Sequence, residues 1–478
     1  MLLRVLRPFR GVDPASRRKI RLRAAVATTA LILLLLLGTW IARRVAILKL
    51  DRSWTEVEWA ELPEVSMLQE YVRIDTTPTT GSELAGARFL AERLDAAGLE
   101  THIERLGEGG ANLWAILEGR TSEALVLHSH IDVFPAEDAD EWKHPPFAGV
   151  IDPPHLWGRG VFDMKSVAVA QLQALLSLVA SGRQPERSVI FLATGSEEVG
   201  SELGARWVLA RHPELVSRFW AVLTEGGIVE PVTREEIKYW GIEFAHKRIA
   251  EAWVCSDRRE PLESLFEYLE EHRGSLAAVL TPEVATFADH YAPSRQHPGY
   301  RSRLSDLVST VDHPSRVAEL PPYLNAMLRN EVVALPVRED PDGGYRMKLI
   351  LRLLPGVELD SALPELLPDW ATHGLAVTVL PARGTAQGSP LDHPAYAGLV
   401  EALEEAYPDA VVGPYFLPWN ATDSRFFRQA GIPSYGFSPF LIFNTDTFRV
   451  DATNERIGLP GFVDGVALYV QAVERLVG

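Results

Sequence analysis

Cysteine is almost absent from this chain: Cys255 stands alone among 478 residues. One thiol excludes an intrachain disulfide and any thiolate-rich metal cage, so a metal site here must be built from histidine and carboxylates. That donor chemistry suits zinc, manganese or cobalt in a hydrolase. Positive charge is also in short supply, with 47 Lys and Arg against 64 Asp and Glu and a net charge of −17. Nucleic acid is therefore a poor candidate partner, because no long basic face exists outside the first fifty residues. What is plentiful is apolar material, 47% of the chain, enough for a sizeable core in two or more domains.

Long apolar runs are rare too, and the one present is informative. Arg17-Arg18-Lys19-Ile20-Arg21-Leu22-Arg23 leads into an uncharged stretch from Ala24 to Ala42 that contains Leu33 to Leu37. At about 1.5 Å per residue this stretch spans roughly 28 Å, close to the hydrocarbon thickness of a bilayer. It reads as a single transmembrane anchor, with residues 1–23 as a basic cytoplasmic segment and 43–55 as a linker. Eight Lys and Arg precede the span, and Arg43, Arg44, Lys49 and Arg52 follow it. The positive-inside bias then places the rest of the chain outside the cytoplasm. A cleaved signal peptide is the alternative, although Trp40 and Ile41 stand where a small-residue cleavage site belongs.

Short apolar runs at 112–117, 124–127, 188–192 and 220–223, with a helical stretch at 166–180, predict an α/β fold: a mixed, largely parallel sheet flanked by helices. Ligands collect at the carboxyl ends of such strands. His130 follows the second run, Glu197 and Glu198 the third and Glu225 the fourth, so separate elements converge on one edge. From Glu236 the texture changes to an alternating strand from Tyr239 to Val254, a helix near 261–272, a polar Pro-rich interval and a strand at 347–354. This reads as an inserted α+β domain over 236–380, dividing a catalytic domain into 56–235 and 381–478.

The motifs are His130-Ile-Asp-Val-Phe-Pro135, Trp142-Lys-His-Pro-Pro-Phe147, Trp157-Gly-Arg-Gly-Val-Phe-Asp-Met-Lys165 and Glu197-Glu198. Together they resemble the zinc aminoacylase and carboxypeptidase S family of metallopeptidases, family M20, which also holds succinyl-diaminopimelate desuccinylase and glutamate carboxypeptidases. The similarity covers about residues 60 to 470. It implies a metal-dependent amidohydrolase or peptidase that cleaves N-acyl amino acids or small peptides with a metal-activated water. Two divalent ions are expected, zinc first, with manganese or cobalt as alternatives. In this scheme His130 binds one ion and Asp132 holds its ring through the other imidazole nitrogen. Asp163, in a glycine-bounded turn, bridges both ions, and Glu198 binds the second. Glu197 stays unligated and acts as general base. Glu225, in Thr224-Glu-Gly-Gly227, matches the family's acidic ligand of the first ion. His128 reads as structural. Arg352 stands where the family's inserted domain, a ferredoxin-like lid and dimerisation unit, carries an Arg that grips a substrate carboxylate; an ordinary strand arginine is the alternative. Asn420-Ala-Thr-Asp-Ser-Arg425 resembles the family's cleft-lining turn, which makes Thr422 and Asp423 candidates for substrate contact, or a simple Asx-type turn.

Three departures stand out. The family's last metal ligand is the His of a His-Gly-x-Asn-Glu-Arg segment, whereas this chain reads Asp451-Ala-Thr-Asn-Glu-Arg456, and no histidine follows His393. Asp451 is therefore the expected ligand, one that adds charge and favours harder ions. The inserted-domain histidine that steadies the oxyanion is missing from Val254-Cys-Ser-Asp-Arg-Arg259, leaving Arg258 or Arg259 as positive charge at that position. The Asn-Val-Ile-Pro segment expected before Arg352 is absent as well. A degenerate homologue that binds a peptide or one ion without turnover is thus the second reading. A homodimer is implied by the resemblance alone.

Overall fold

The apolar runs form strands buried on both faces. Leu125, Val126, Leu127, Val189, Ile190, Phe191 and Val222 are all fully buried, as expected for parallel strands covered by helices. The computed structural model describes residues 58–478, apart from 79, 137–138, 232–235, 273–275, 296–300, 302–303, 369–371, 381, 443–445 and 447–448. The predicted anchor at 24–42 lies outside the described residues. Among those described, Val161–Ser181 is long and apolar enough to cross a membrane by length and composition. Its helix, Ser166–Ser181, is instead a core element, lined with buried residues and packed against the sheet and the carboxyl-terminal helix Leu459–Val477.

The main sheet runs, in spatial order, Thr101–Leu106, Gly110–Leu117, Arg187–Thr194, Thr121–His130, Phe219–Thr224, Ser434–Gly436, Ile237–His246 and Val411–Leu417, with Ile228–Pro231 paired to Ile237–His246. Its centre is parallel and its first two pairings are antiparallel. One face packs Ala124, Val126, Ile190, Leu192 and Val222 against Val208, Phe426 and Phe427 from flanking helices. Arg187–Thr194, Thr121–His130 and Phe219–Thr224 are parallel neighbours, so the residues that follow them emerge side by side at one edge.

A second, antiparallel sheet is ordered Glu331–Ala334, Tyr345–Leu353, Arg248–Ser256, Ala376–Val379. With the helices Arg259–Glu271 and Leu359–Leu366 it makes the βαββαβ succession of a ferredoxin-like unit. Here burial alternates: Met347, Leu349, Leu351 and Leu353 are buried against Leu262, Leu265 and Leu366, while the residues between them are half-buried.

Two expectations change. The strand predicted from Tyr239 to Val254 breaks at Lys247: Ile237–His246 belongs to the main sheet and Arg248–Ser256 to the second, so the inserted unit starts at Arg248 rather than 236. Strand-forming residues run through Lys247 without a turn signal, so the sequence does not mark the crossing. The crossing is marked by the buried Lys247 ammonium, which pairs with Glu331 of the second sheet at 2.8 Å. The Pro-rich interval is helical, at Pro282–Tyr291, Leu307–Val311, Pro314–Ala318 and Pro322–Met327. Three of these helices open on a proline at the first turn, where its missing N–H costs nothing. The first of them sets Phe287 and Tyr291 against Tyr239 and Tyr415 of the main sheet.

Candidate metal centre

His130 is the last residue of its strand and is 2% exposed. Its Nδ1 lies 2.8 Å from the Asp132 carbonyl, which turns Nε2 toward Asp163 Oδ1 at 2.9 Å and Glu225 Oε1 at 3.8 Å. His130, Asp163 and Glu225 each offer one ligand atom, all within 4.8 Å of one another. Asp163, Glu198 and Asp451 form a second group on the same criterion, with Asp163 common to both. Glu198 Oε1 and Asp451 Oδ1 are buried without a hydrogen-bond partner. Buried carboxylate oxygens of this kind need a cation or a proton. A donor set of one imidazole and four carboxylates, with one carboxylate shared, fits a pair of divalent ions.

Glu455 holds Asp163 in place. Its buried carboxylate accepts the backbone N–H of Gly160 at 3.0 Å, Phe162 at 2.9 Å and Asp163 at 3.3 Å, and pairs with Arg159 at 2.8 Å. Gly160 must be glycine, since it has φ +71° and a Cβ there would lie 2.2 Å from Val133 Cγ1. The loop carrying Glu197 and Glu198 is tied in the same manner. Asn112 Oδ1 accepts from Gly195 N–H at 3.0 Å, Glu83 from Ser196 at 3.0 Å, and Asp132 from Glu197 at 3.0 Å and Glu198 at 2.9 Å. This revises the role expected of Asp132. Its main-chain carbonyl, not its carboxylate, is the near partner of the His130 ring, the carboxylate oxygen being 3.7 Å away.

Electrostatics follow from packing five acids beside one imidazole. Burial raises the Glu197 carboxyl to about 7, against the opposing pull of Arg425, whose Nη2 is 3.4 Å from Oε1. Asp451 is raised to about 8 by burial and by the Asp163 and Glu455 charges. Glu198 and Glu225 are held well above the usual range by burial and by Asp163. Burial alone would depress His130, but its hydrogen bond to Asp163 and the charges of Glu225 and Asp132 keep it well above its ordinary value. Burial would raise Asp163, but His130, with Glu225 and Arg159, holds it below the usual carboxylate range. Divalent charge in this cluster would invert the like-charge repulsion.

Other candidates fall elsewhere. Asp423 is 1% exposed and accepts from Ser201 Oγ; its second oxygen lies 3.6 Å from His128, and, after burial, its charge helps to raise the Glu197 carboxyl. Thr422 is also buried and accepts from Ser424 N–H. The member of that turn that reaches the site is Arg425. Arg352 lies in the second sheet, 4.0 Å from Glu331. Arg259 pairs with Glu263 one turn on, which turns its charge to the helix surface. His128 sits between Thr224 and Thr194 hydroxyls at 3.0 Å each, its pKa lowered to about 4 by burial. Reasoning from sequence missed Glu83, Asn112, Arg425 and the role of Glu455. Glu455 and Arg425 had local signals, the first four residues after Asp451 and the second at the end of the Asn420–Arg425 turn, but their roles were not read.

The family model for peptidase family M20/M25/M40 matches residues 126–475. A probable carboxypeptidase S-like protein of Dictyostelium discoideum is 22% identical over 380 residues, 73% of this chain and 71% of that protein. Aminoacylase-1A of Rattus norvegicus is 24% identical over 437 residues, 87% of this chain and 96% of that protein. The fold is shared with the metallo-carboxypeptidase Sso-CP2 of Sulfolobus solfataricus, at a TM-score of 0.65 and 16% identity over 87% of this chain and 99% of that one.

Proposed function

The chain belongs to peptidase family M20/M25/M40 and is a hydrolase of peptide or amide bonds; from that premise we propose that it cleaves N-acyl amino acids or small peptides at the edge of the main sheet, with Glu197 as general base. The observation that carries this reading is the pair of overlapping donor groups sharing Asp163, with Glu197 adjacent in sequence to a member of one group and outside both. His130, Asp163 and Glu225 would hold one divalent ion, and Asp163, Glu198 and Asp451 the other. Bound ions supply Lewis acidity to the scissile carbonyl and to water. Zinc is the first candidate.

The protein's own contribution is positioning and proton transfer. Glu197, half-buried beside Glu198 and outside both donor groups, is placed to take a proton from water and to return it to the leaving nitrogen. Arg425 fixes its carboxylate, and the Asp132 carboxylate fixes its backbone. Glu197→Gln should remove turnover by about 10²–10⁴-fold while elemental analysis finds the ion content unchanged; turnover at the native level in that variant rules the mechanism out. Bound ions without hydrolysis of any acyl-amino-acid or dipeptide would instead favour the non-catalytic reading, which Asp451 and the missing inserted-domain histidine support. The charge and hydropathy pattern of residues 17–42 supports a membrane anchor with the catalytic domain outside the cytoplasm. Release of the full chain from membranes by alkaline washing would end that part.

A further inference from the structure

The two donor groups are chemically unequal. The first contains the imidazole of His130, with Nδ1 against the Asp132 carbonyl and Nε2 turned to the carboxylates. The second, Asp163, Glu198 and Asp451, is entirely carboxylate oxygen. No described histidine other than His130 belongs to either group, and the chain has none after His393. Nitrogen donors suit zinc, whereas all-carboxylate sets suit harder ions such as manganese and magnesium.

We infer that the centre is a mixed-metal one, with zinc at His130, Asp163 and Glu225 and a harder divalent ion of the manganese class at Asp163, Glu198 and Asp451. The inference rests on the hydrolase reading and goes beyond it by assigning different ions to the two groups. The surroundings of Asp451 are built to hold an oxygen donor in place. Its backbone has φ +56°, a conformation rare for a residue other than glycine, and its carbonyl accepts from Arg159 Nη2 at 3.1 Å. Arg159 is in turn paired with the buried Glu455, which grips the Asp163 turn. Asp451 and Asp163 are thereby braced by one arginine–glutamate pair. The unpartnered oxygens of Glu198 and Asp451 are the atoms left to face the ion.

The test is metal content by elemental analysis and manganese by electron paramagnetic resonance. The full chain, stripped with a chelator, is re-equilibrated with two equivalents of zinc and an excess of manganese. The excess is needed because zinc outbinds manganese at most sites. The native chain should hold one zinc and one manganese. Asp451→His should hold two zinc and lose the manganese signal. Asp451→Asn, nearly isosteric, should keep the zinc and lose the manganese, which covers the case in which the histidine variant misfolds. Two zinc and no manganese in the native chain, or a bound manganese undisturbed by both substitutions, overturns the assignment. A native chain that binds neither ion overturns the hydrolase reading along with it.

Discussion

The two sheets differ in what their strand ends carry. In the main sheet, three parallel neighbours deliver His130, Glu197, Glu198 and Glu225 to one edge, and the loop carrying Glu197 and Glu198 is tied down by three buried acceptors, Asp132, Glu83 and Asn112. In the inserted sheet, burial alternates, one face packs against helices, and charged residues pair within the sheet, as in Lys348–Glu251. The motifs that resemble the family's lie at the main sheet, with Asp451 as the one departure there, whereas the inserted sheet departs at Val254–Arg259 and before Arg352. Both candidate donor groups therefore lie on elements of the catalytic part, and none of their members comes from the inserted sheet.

The largest contrast should come from removing core side chains. Phe191→Ala in the main sheet should cost about 3–5 kcal/mol and Leu351→Ala in the inserted sheet about 2–5 kcal/mol, both measured by denaturant unfolding. Only the first should lower ion content, since Phe191 lies on the strand that delivers Glu197 and Glu198. Equal ion loss in both variants would show that the two units act as one.

Acidity should separate them next. In the ion-free protein Asp451 is raised from 3.8 to about 8 and Glu197 from 4.5 to about 7, so between those values the folded state holds protons that the unfolded state has lost. Stability from these groups falls as pH rises. His130, raised above 6.5, acts in the same direction: its contribution is present below 6.5 and lost as pH rises through the folded value. Asp163, lowered, contributes at all pH above its ordinary 3.8 and does not change the slope. Chelated protein should therefore melt at lower temperature near pH 8 than near pH 5, and added divalent ions should flatten the difference. A melting temperature that rises with pH in chelator would contradict the cluster as described.

Asp132→Asn should weaken ion binding or activity by about 10–100-fold, because an amide can accept from one of the two N–H groups it now faces but must present its own N–H₂ to the other. Native turnover and ion content in that variant would mean that Glu83 and Asn112 suffice to hold the loop.

The candidate ligands His130, Asp163, Glu198 and Glu225 were legible in sequence because they follow strands or sit in a glycine-bounded turn, whereas Asp451 was reached only through the family resemblance. The braces were not. Glu83 lies in the first turn of the helix Glu83–Ala96, where an acid ordinarily serves the helix dipole, yet it reaches across 113 residues to Ser196. Arg425 crosses 228 residues to Glu197. Contacts over such separations leave no local pattern. The sheet crossing at Lys247 and the helices behind Pro282, Pro314 and Pro322 were hidden for the opposite reason: their local patterns fit more than one structure.

The smallest predicted effect isolates the proton step. Burial pushes the Glu197 carboxyl up, and Arg425 is the foremost group pulling it down. Because the base must be ionised to act, activity should rise with pH along a limb set by Glu197. Arg425→Ala removes the opposing charge, so the carboxyl should be harder to ionise and the limb should move to higher pH by about one unit. The high-pH plateau should survive, since the base is ionised there with or without its partner. A plateau lost at every pH would instead place Arg425 on the substrate, and a limb moved to lower pH would mean that another group controls the acid side of the profile.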